Sequence, residues 1–118
     1  RIIKSLVFDA GDGQAVMALM HGDRRVSVRK LERISGMRRL MPASPDRALA
    51  ATGYQPGGIC PFGLPEGLPV FIQKSLLEAR SIYINGGQRG VVLKIETRIL
   101  SEAGALPCDI MAVPQPLP

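Results

Sequence analysis

The sequence predicts an α+β domain with a curved, largely antiparallel sheet and short flanking helices. Three observations carry that prediction. Short apolar or β-branched runs recur along the chain, hairpin-length connections join them, and a few capped segments with helical apolar spacing interrupt them. No internal repeat is visible.

Taken in order, Ile2–Phe8 reads as a buried strand, Asp9–Gly13 is dense in turn formers, and Gln14–Met20 resumes the apolar run, so the pair forms a hairpin. Ser27 caps a helix in which Val28, Leu31 and Ile34 share one face, and Gly36 is placed to end it. Met37–Met41 is a short strand. Ser44-Pro45 pairs a cap with proline at the first helical position, opening a short helix that stops near Gly53. Beyond Pro69, Val70–Ile72 is a strand, Ser75–Arg80 a brief helix and Ile82–Ile84 another strand. Gly86-Gly87 permits a tight reversal into Gly90–Ile95, and Thr97 caps a last helix that runs to Ala103. Residues 1–113 make one domain. Pro114–Pro118 carries too many prolines to join a sheet and is expected to fray.

At 118 residues the chain is long enough to bury a core without staples. Its two cysteines, Cys60 and Cys108, cannot supply a disulfide framework or a common metal site, so a reducing, cytoplasmic setting without metal or cofactor is expected. No apolar run reaches the ~18 residues of a membrane span, and no signal peptide opens the chain. Arg1 stands directly before a strand-like run, which suggests a truncated start.

The formal charge of +5 is unevenly placed: Arg24, Arg25, Arg29, Lys30, Arg33, Arg38 and Arg39 bring seven of fifteen basic residues into sixteen positions. Either this is a solvated helix face, or it is the footprint of a phosphate-backbone binder that displaces condensed counterions. With three Phe, two Tyr and no Trp, stacking on many bases is poorly supported.

Between Gly53 and Pro69 five glycines and four prolines fall in seventeen residues, so neither a helix nor a strand can pass through. Connections beyond ~12–15 residues in compact domains are usually functional or disordered. Here Tyr54, Ile59, Phe62 and Leu64 provide side chains to pack, and an ordered loop is expected. Gly57 and Gly58 let a ligand approach backbone N–H groups closely, as stabilisation of an ester-hydrolysis intermediate requires; a plain turn is the alternative. Lys4 shares a strand face with Ile2 and Leu6, either as a snorkelling or edge lysine or as an ammonium directed into a pocket. Asn85 either completes turn chemistry or offers an amide to a ligand. Cys60 has no base beside it in sequence, and His21 reads as a surface loop residue, so a thiol nucleophile is disfavoured.

Three segments together resemble the YbaK/prolyl-tRNA-synthetase-associated domain family of editing deacylases. They are Ile2-Ile3-Lys4-Ser5-Leu6-Val7-Phe8, the loop Thr52-Gly53-Tyr54 through Gly57-Gly58-Ile59-Cys60-Pro61-Phe62-Gly63, and Ile82-Tyr83-Ile84-Asn85-Gly86-Gly87-Gln88-Arg89-Gly90. The resemblance runs from Ile2 to about Asp109. It implies a mixed, barrel-like sheet with a pocket at one end, and hydrolysis of mischarged aminoacyl-tRNA, chiefly tRNA for proline, in trans. Carried over residue by residue, it makes Lys4 and Gly57 catalytic. Gly58, Ile59, Cys60, Pro61, Asn85, Gly86 and Gly87 would bind substrate, with Cys60 limiting amino-acid size; the charge cluster, outside the resembling segments, supplies Arg24, Arg25, Arg29, Lys30 and Arg33 as the residues expected to hold tRNA. The partners implied are the aminoacyl-tRNA acceptor end and prolyl-tRNA synthetase. Water activation would be assisted by the substrate, since the sequence lacks a conventional base. Gln73 departs from the family, which more often has Asp there. Members also carry an N-terminal segment that helps wall the pocket, and part of the site is expected to be absent. Two other readings stay open: a non-catalytic tRNA- or synthetase-binding module, and a cis-editing insertion of a prolyl-tRNA synthetase.

Overall fold

Val16, Met17, Ala18, Leu19 and Met20 are all fully buried, because their strand lies at the centre of a sheet covered on both faces. The computed structural model describes Arg1–Pro114; residues 115–118 of the expected proline-rich tail lie outside the described residues.

The strands are β1 (Ile3–Gly11), β2 (Gln14–His21), β3 (Met41–Pro42), β4 (Val70–Gln73), β5 (Ser81–Asn85), β6 (Val92–Glu96) and β7 (Leu106–Cys108). The helices are α1 (Val28–Ser35), α2 (Pro45–Thr52) and α3 (Arg98–Glu102), with a 3₁₀ turn over Lys74–Glu78. One sheet has the order β3-β1-β2-β4-β7, and β5-β6 form a separate hairpin. β1 pairs antiparallel with β2 and β3, whereas β4 runs parallel to β2, and β7 parallel to β4. The architecture is the α+β type expected, but the sheet does not close into a barrel: β3 and β7 remain its edges.

Local chemistry explains the elements. The Ser27 hydroxyl accepts from the Lys30 N–H at 3.2 Å, and Gly36, at φ 74°, ends α1. Ser44 caps α2 in the same way before Pro45, and Gly53 closes it at φ 82°. β1 runs three residues past the expected end at Phe8. Asp9 accepts from the Gly11 N–H and pairs with Arg47 at 3.1 Å, and a bulge absorbs the irregularity before the turn.

Several expectations need correction. The strand expected over Met37–Met41 is only Met41–Pro42, because Leu40 is held instead by the Glu32 carboxylate, which accepts its N–H at 3.0 Å. Thr97 does not cap α3: its backbone is already helical and its buried hydroxyl has no partner among the described residues. Six residues separate β5 and β6, closed by Gly86 N–H to Val91 O and Val91 N–H to Gln88 O, so the reversal is wider than two glycines require. Pro107 conceals β7 in the sequence, and the ladder tolerates it because β7 is an edge strand.

Two apolar cores result. Ile3, Val7, Met17, Leu19 and Ile72 pack on one sheet face with Ile59, Cys60, Ile82, Ile84 and Leu100. On the other, Phe8, Val16, Ala18, Met20 and Phe71 pack with Leu31 of α1, Leu40 and Ile110.

Candidate functional site

From Gly53 to Pro69 the chain has neither helix nor strand, as the glycines and prolines dictate. Its order comes from specific contacts. In Gln55-Pro56-Gly57-Gly58 the Gly58 N–H donates to the Gln55 carbonyl at 3.0 Å and Gly57 takes φ 89°, the turn in which proline precedes a positive-φ glycine. Tyr54 then ties the loop together. Its N–H donates to the Thr52 hydroxyl at 3.1 Å, and its phenol donates to the Phe62 carbonyl at 2.5 Å. Burial raises the phenol's pKa, with the Cys60 side chain adding to the effect.

The two glycine segments singled out in sequence meet. A Cβ on Gly58 would stand 2.8 Å from Gln88 Cα, one on Gly57 would stand 3.1 Å from Arg89 Nε, and one on Gly87 would touch the Tyr54 ring at 3.4 Å. At Gly58 the approach of backbone to backbone leaves no room for a Cβ, whereas at Gly57 the fit is tight and at Gly87 the contact is an ordinary one. Arg89 carries no sequence signal of its own as a site residue, although it sits within the motif Gly86-Gly87-Gln88-Arg89-Gly90; only the packing places its guanidinium on Gly57.

Beside this junction a groove of about 350 Å³ runs along β1, lined by Ser5, Val7, Ala43, Ala48, Gly57 and Ile59 among others. It lies where β1 has little pairing on that side, since β3 meets only Phe8 and Asp9, and β5 bridges to the chain only at Ile2. The Gly58 N–H is consumed by the turn. The N–H groups of Gly57, Ile59 and Cys60 donate to no acceptor among the described residues; of the three, Gly57 is exposed, and Gly57 and Ile59 line the groove.

Lys4 does not line this groove. It is half-buried, and strand alternation puts it with Leu6 and Phe8 on the α1 side, while Ile59 and Cys60 pack with Ile3 and Val7 on the opposite side. Cys60 is buried in the core beside Tyr54, and Pro61 lines a different cavity of about 340 Å³ with Phe62, Leu100 and Leu106. Asn85 and Gly86 are half-buried at the end of β5, paired toward β6.

His21 is not a loop residue. It ends β2, with Nε2 2.7 Å from the Ser75 hydroxyl; partial burial lowers its pKa, and Arg1 adds to this. Gln73 is buried, and its side-chain oxygen accepts the Ile110 N–H at 2.7 Å, a structural role. Of the basic cluster, Arg24, Arg25, Arg29 and Arg33 form no ion pair among the described residues. Lys30 differs: it pairs with Asp109 at 3.3 Å and donates to the Met111 carbonyl at 2.8 Å, anchoring the C-terminal segment to α1. Among the described residues no three His, Cys, Asp or Glu side chains cluster as metal ligands, and no helix is long and apolar enough to cross a membrane.

Residues 1–102 match the family model of the aminoacyl-tRNA editing domain. The chain is 31% identical over 102 residues to the uncharacterised protein YwhH of Bacillus subtilis (strain 168), covering 86% of this chain and 64% of that one. It is 26% identical over 95 residues to EbsC of Enterococcus faecalis (strain ATCC 700802 / V583), named as a candidate Cys-tRNA(Pro)/Cys-tRNA(Cys) deacylase, covering 80% and 58%. A proline–tRNA ligase of Moorella thermoacetica (strain ATCC 39073 / JCM 9320) is 42% identical over 71 residues, which is 60% of this chain and 12% of the ligase. Among solved structures, a candidate trans-editing enzyme for prolyl tRNA synthetase superposes with a TM-score of 0.84 at 29% identity, covering 95% of this chain and 71% of that one. The chain spans less than two thirds of these curated relatives' own length.

Proposed function

The chain belongs to the aminoacyl-tRNA editing domain family, and we propose that it hydrolyses the ester bond of mischarged aminoacyl-tRNA, with tRNA for proline as the carrier. The observation that carries this reading is the junction of the two glycine segments beside the β1 groove, with backbone N–H groups of Gly57, Ile59 and Cys60 left without acceptors among the described residues. An ester carbonyl gains negative charge as water attacks, and preorganised donors stabilise that charge; losing one typically costs ~10²–10³ in rate. The groove's small, apolar lining suits an amino-acid side chain. In this reading Gly57, Gly58, Ile59, Gly86 and Gly87 shape the acyl site, and Arg24, Arg25, Arg29 and Arg33 hold the acceptor end. In this reading Lys4 is the catalytic cation, reaching toward the acyl group from the α1 side of β1 on a flexible four-carbon stem. The nucleic acid's own ribose hydroxyl assists the attack, so the protein's contribution is position and electrostatics. Two free thiols fit a cytoplasmic setting.

The direct test is incubation with tRNA for proline charged with Ala, Cys, Ser or 2-aminobutyrate. Release of at least one of these amino acids is expected, and loss of that release in Lys4→Ala with the fold intact. No hydrolysis of any charge would overturn the reading.

One observation favours a second reading. Lys4 alternates onto the face away from the glycine loop, which suits a non-catalytic module that binds tRNA or prolyl-tRNA synthetase through the arginine cluster alone. A cis-editing insertion of a prolyl-tRNA synthetase is the remaining alternative, in line with the match to the Moorella ligase. Retained tRNA binding that weakens steeply with salt, without ester hydrolysis, is the outcome expected of a binding module.

A further inference from the structure

We propose that Arg89 clamps the phosphodiester that precedes the terminal nucleoside of the acceptor end, an assignment that rests on the tRNA-editing reading above. Its guanidinium lies against Gly57: a Cβ there would stand 3.1 Å from Nε, 3.5 Å from one terminal nitrogen and 3.6 Å from Cζ. The residue is exposed and forms no ion pair among the described residues, in contrast to Arg47, Arg98 and Lys30, each of which has a carboxylate partner. Gly57 itself lines the β1 groove, so the charge sits at the border of the space assigned to the aminoacyl group.

The substrate's chemistry narrows the ligand. An aminoacyl ester offers a cationic amine and a neutral ester, and the anions of an acceptor end are its phosphodiesters. A planar fork of N–H donors matches two phosphate oxygens, and the seat against Gly57 presents that fork beside the groove. Gly57 suits this seat on two counts: its φ of 89° disfavours a side chain, and a Cβ would press the guanidinium aside by a few tenths of an ångström.

The probe is an acceptor-stem minihelix, uncharged, ending in CCA, compared with the same minihelix lacking the terminal adenosine and its phosphate. Arg89→Met keeps the aliphatic packing on Gly57 and removes the charge, and Arg89→Lys restores charge without the fork. The wild type is expected to prefer the complete end by about 10-fold, the range of a charge-assisted contact. Arg89→Met is expected to abolish that preference while leaving affinity for the shortened minihelix unchanged, and Arg89→Lys to recover part of it. Equal affinity of the wild type for both minihelices, a preserved preference in Arg89→Met, or an equal loss on both would each overturn the clamp. Because the readout is binding, it is separable from the deacylation assay that decides the hydrolase reading.

Discussion

Gly58 lies so close to Gln88 that a Cβ at position 58 would stand 2.8 to 2.9 Å from three backbone atoms of that residue. Backbone cannot rotate aside as a side-chain tip can. Gly58→Ala is therefore expected to push the two loops apart, at a cost of about 1–3 kcal/mol in unfolding free energy, and to suppress deacylation. Urea denaturation checks the first effect; an unchanged midpoint would mean that the loops are not in this contact.

Tyr54 connects Thr52, Phe62 and Gly87 through one side chain and its own amide. Tyr54→Phe keeps the ring against Gly87 and deletes the hydrogen bond to the Phe62 carbonyl, which should cost about 0.5–1.5 kcal/mol. Hydrogen exchange of the Gly58 amide, bonded within the loop's turn, is expected to quicken more than that of β2, since only the loop depends on the phenol.

His21 titrates below its ordinary value of 6.5, first because burial disfavours the imidazolium and then because Arg1 lies near. Below pH 6.5 the unfolded chain takes up a proton that the folded chain resists, so stability is present above that value and is lost as pH falls through the depressed folded pKa. His21→Gln removes the titration. Urea midpoints measured from neutral pH downward should fall sooner in the wild type than in the variant, and parallel curves would dismiss His21 as the source.

Arg29 and Arg33 stand on α1 without ion-pair partners among the described residues. Arg29→Gln and Arg33→Gln should change stability by less than about 0.5 kcal/mol. Each should reduce the slope of log affinity for tRNA against log salt by about 1. Filter binding across a salt series measures this; an unaltered slope would place the phosphates elsewhere.

Features set by neighbours in the chain are legible in the residues themselves. Ser27 with Gly36, and Ser44-Pro45 with Gly53, bound their helices as expected, because a cap is decided within about one turn by one side chain and a few N–H groups. The unstructured path after Gly53 is legible for the same reason. Thr97 misleads because a threonine before a helical segment also suits its first turn, and Pro107 conceals a strand because being an edge is a property of the sheet and not of the residue.

Composition and local order therefore settle the α+β class, the Ser27 and Ser44 caps and the irregular path from Gly53 to Pro69. Which sheet face receives Lys4 follows from alternation, but which face receives the glycine loop does not, because that depends on where a distant segment of the chain packs. Only the tertiary structure could seat Arg89 on Gly57, lay β4 and β7 parallel to their neighbours, and turn His21 toward Ser75. Such contacts arise from burying distant apolar segments together, and no short-range pattern of residue types records which of those segments will meet.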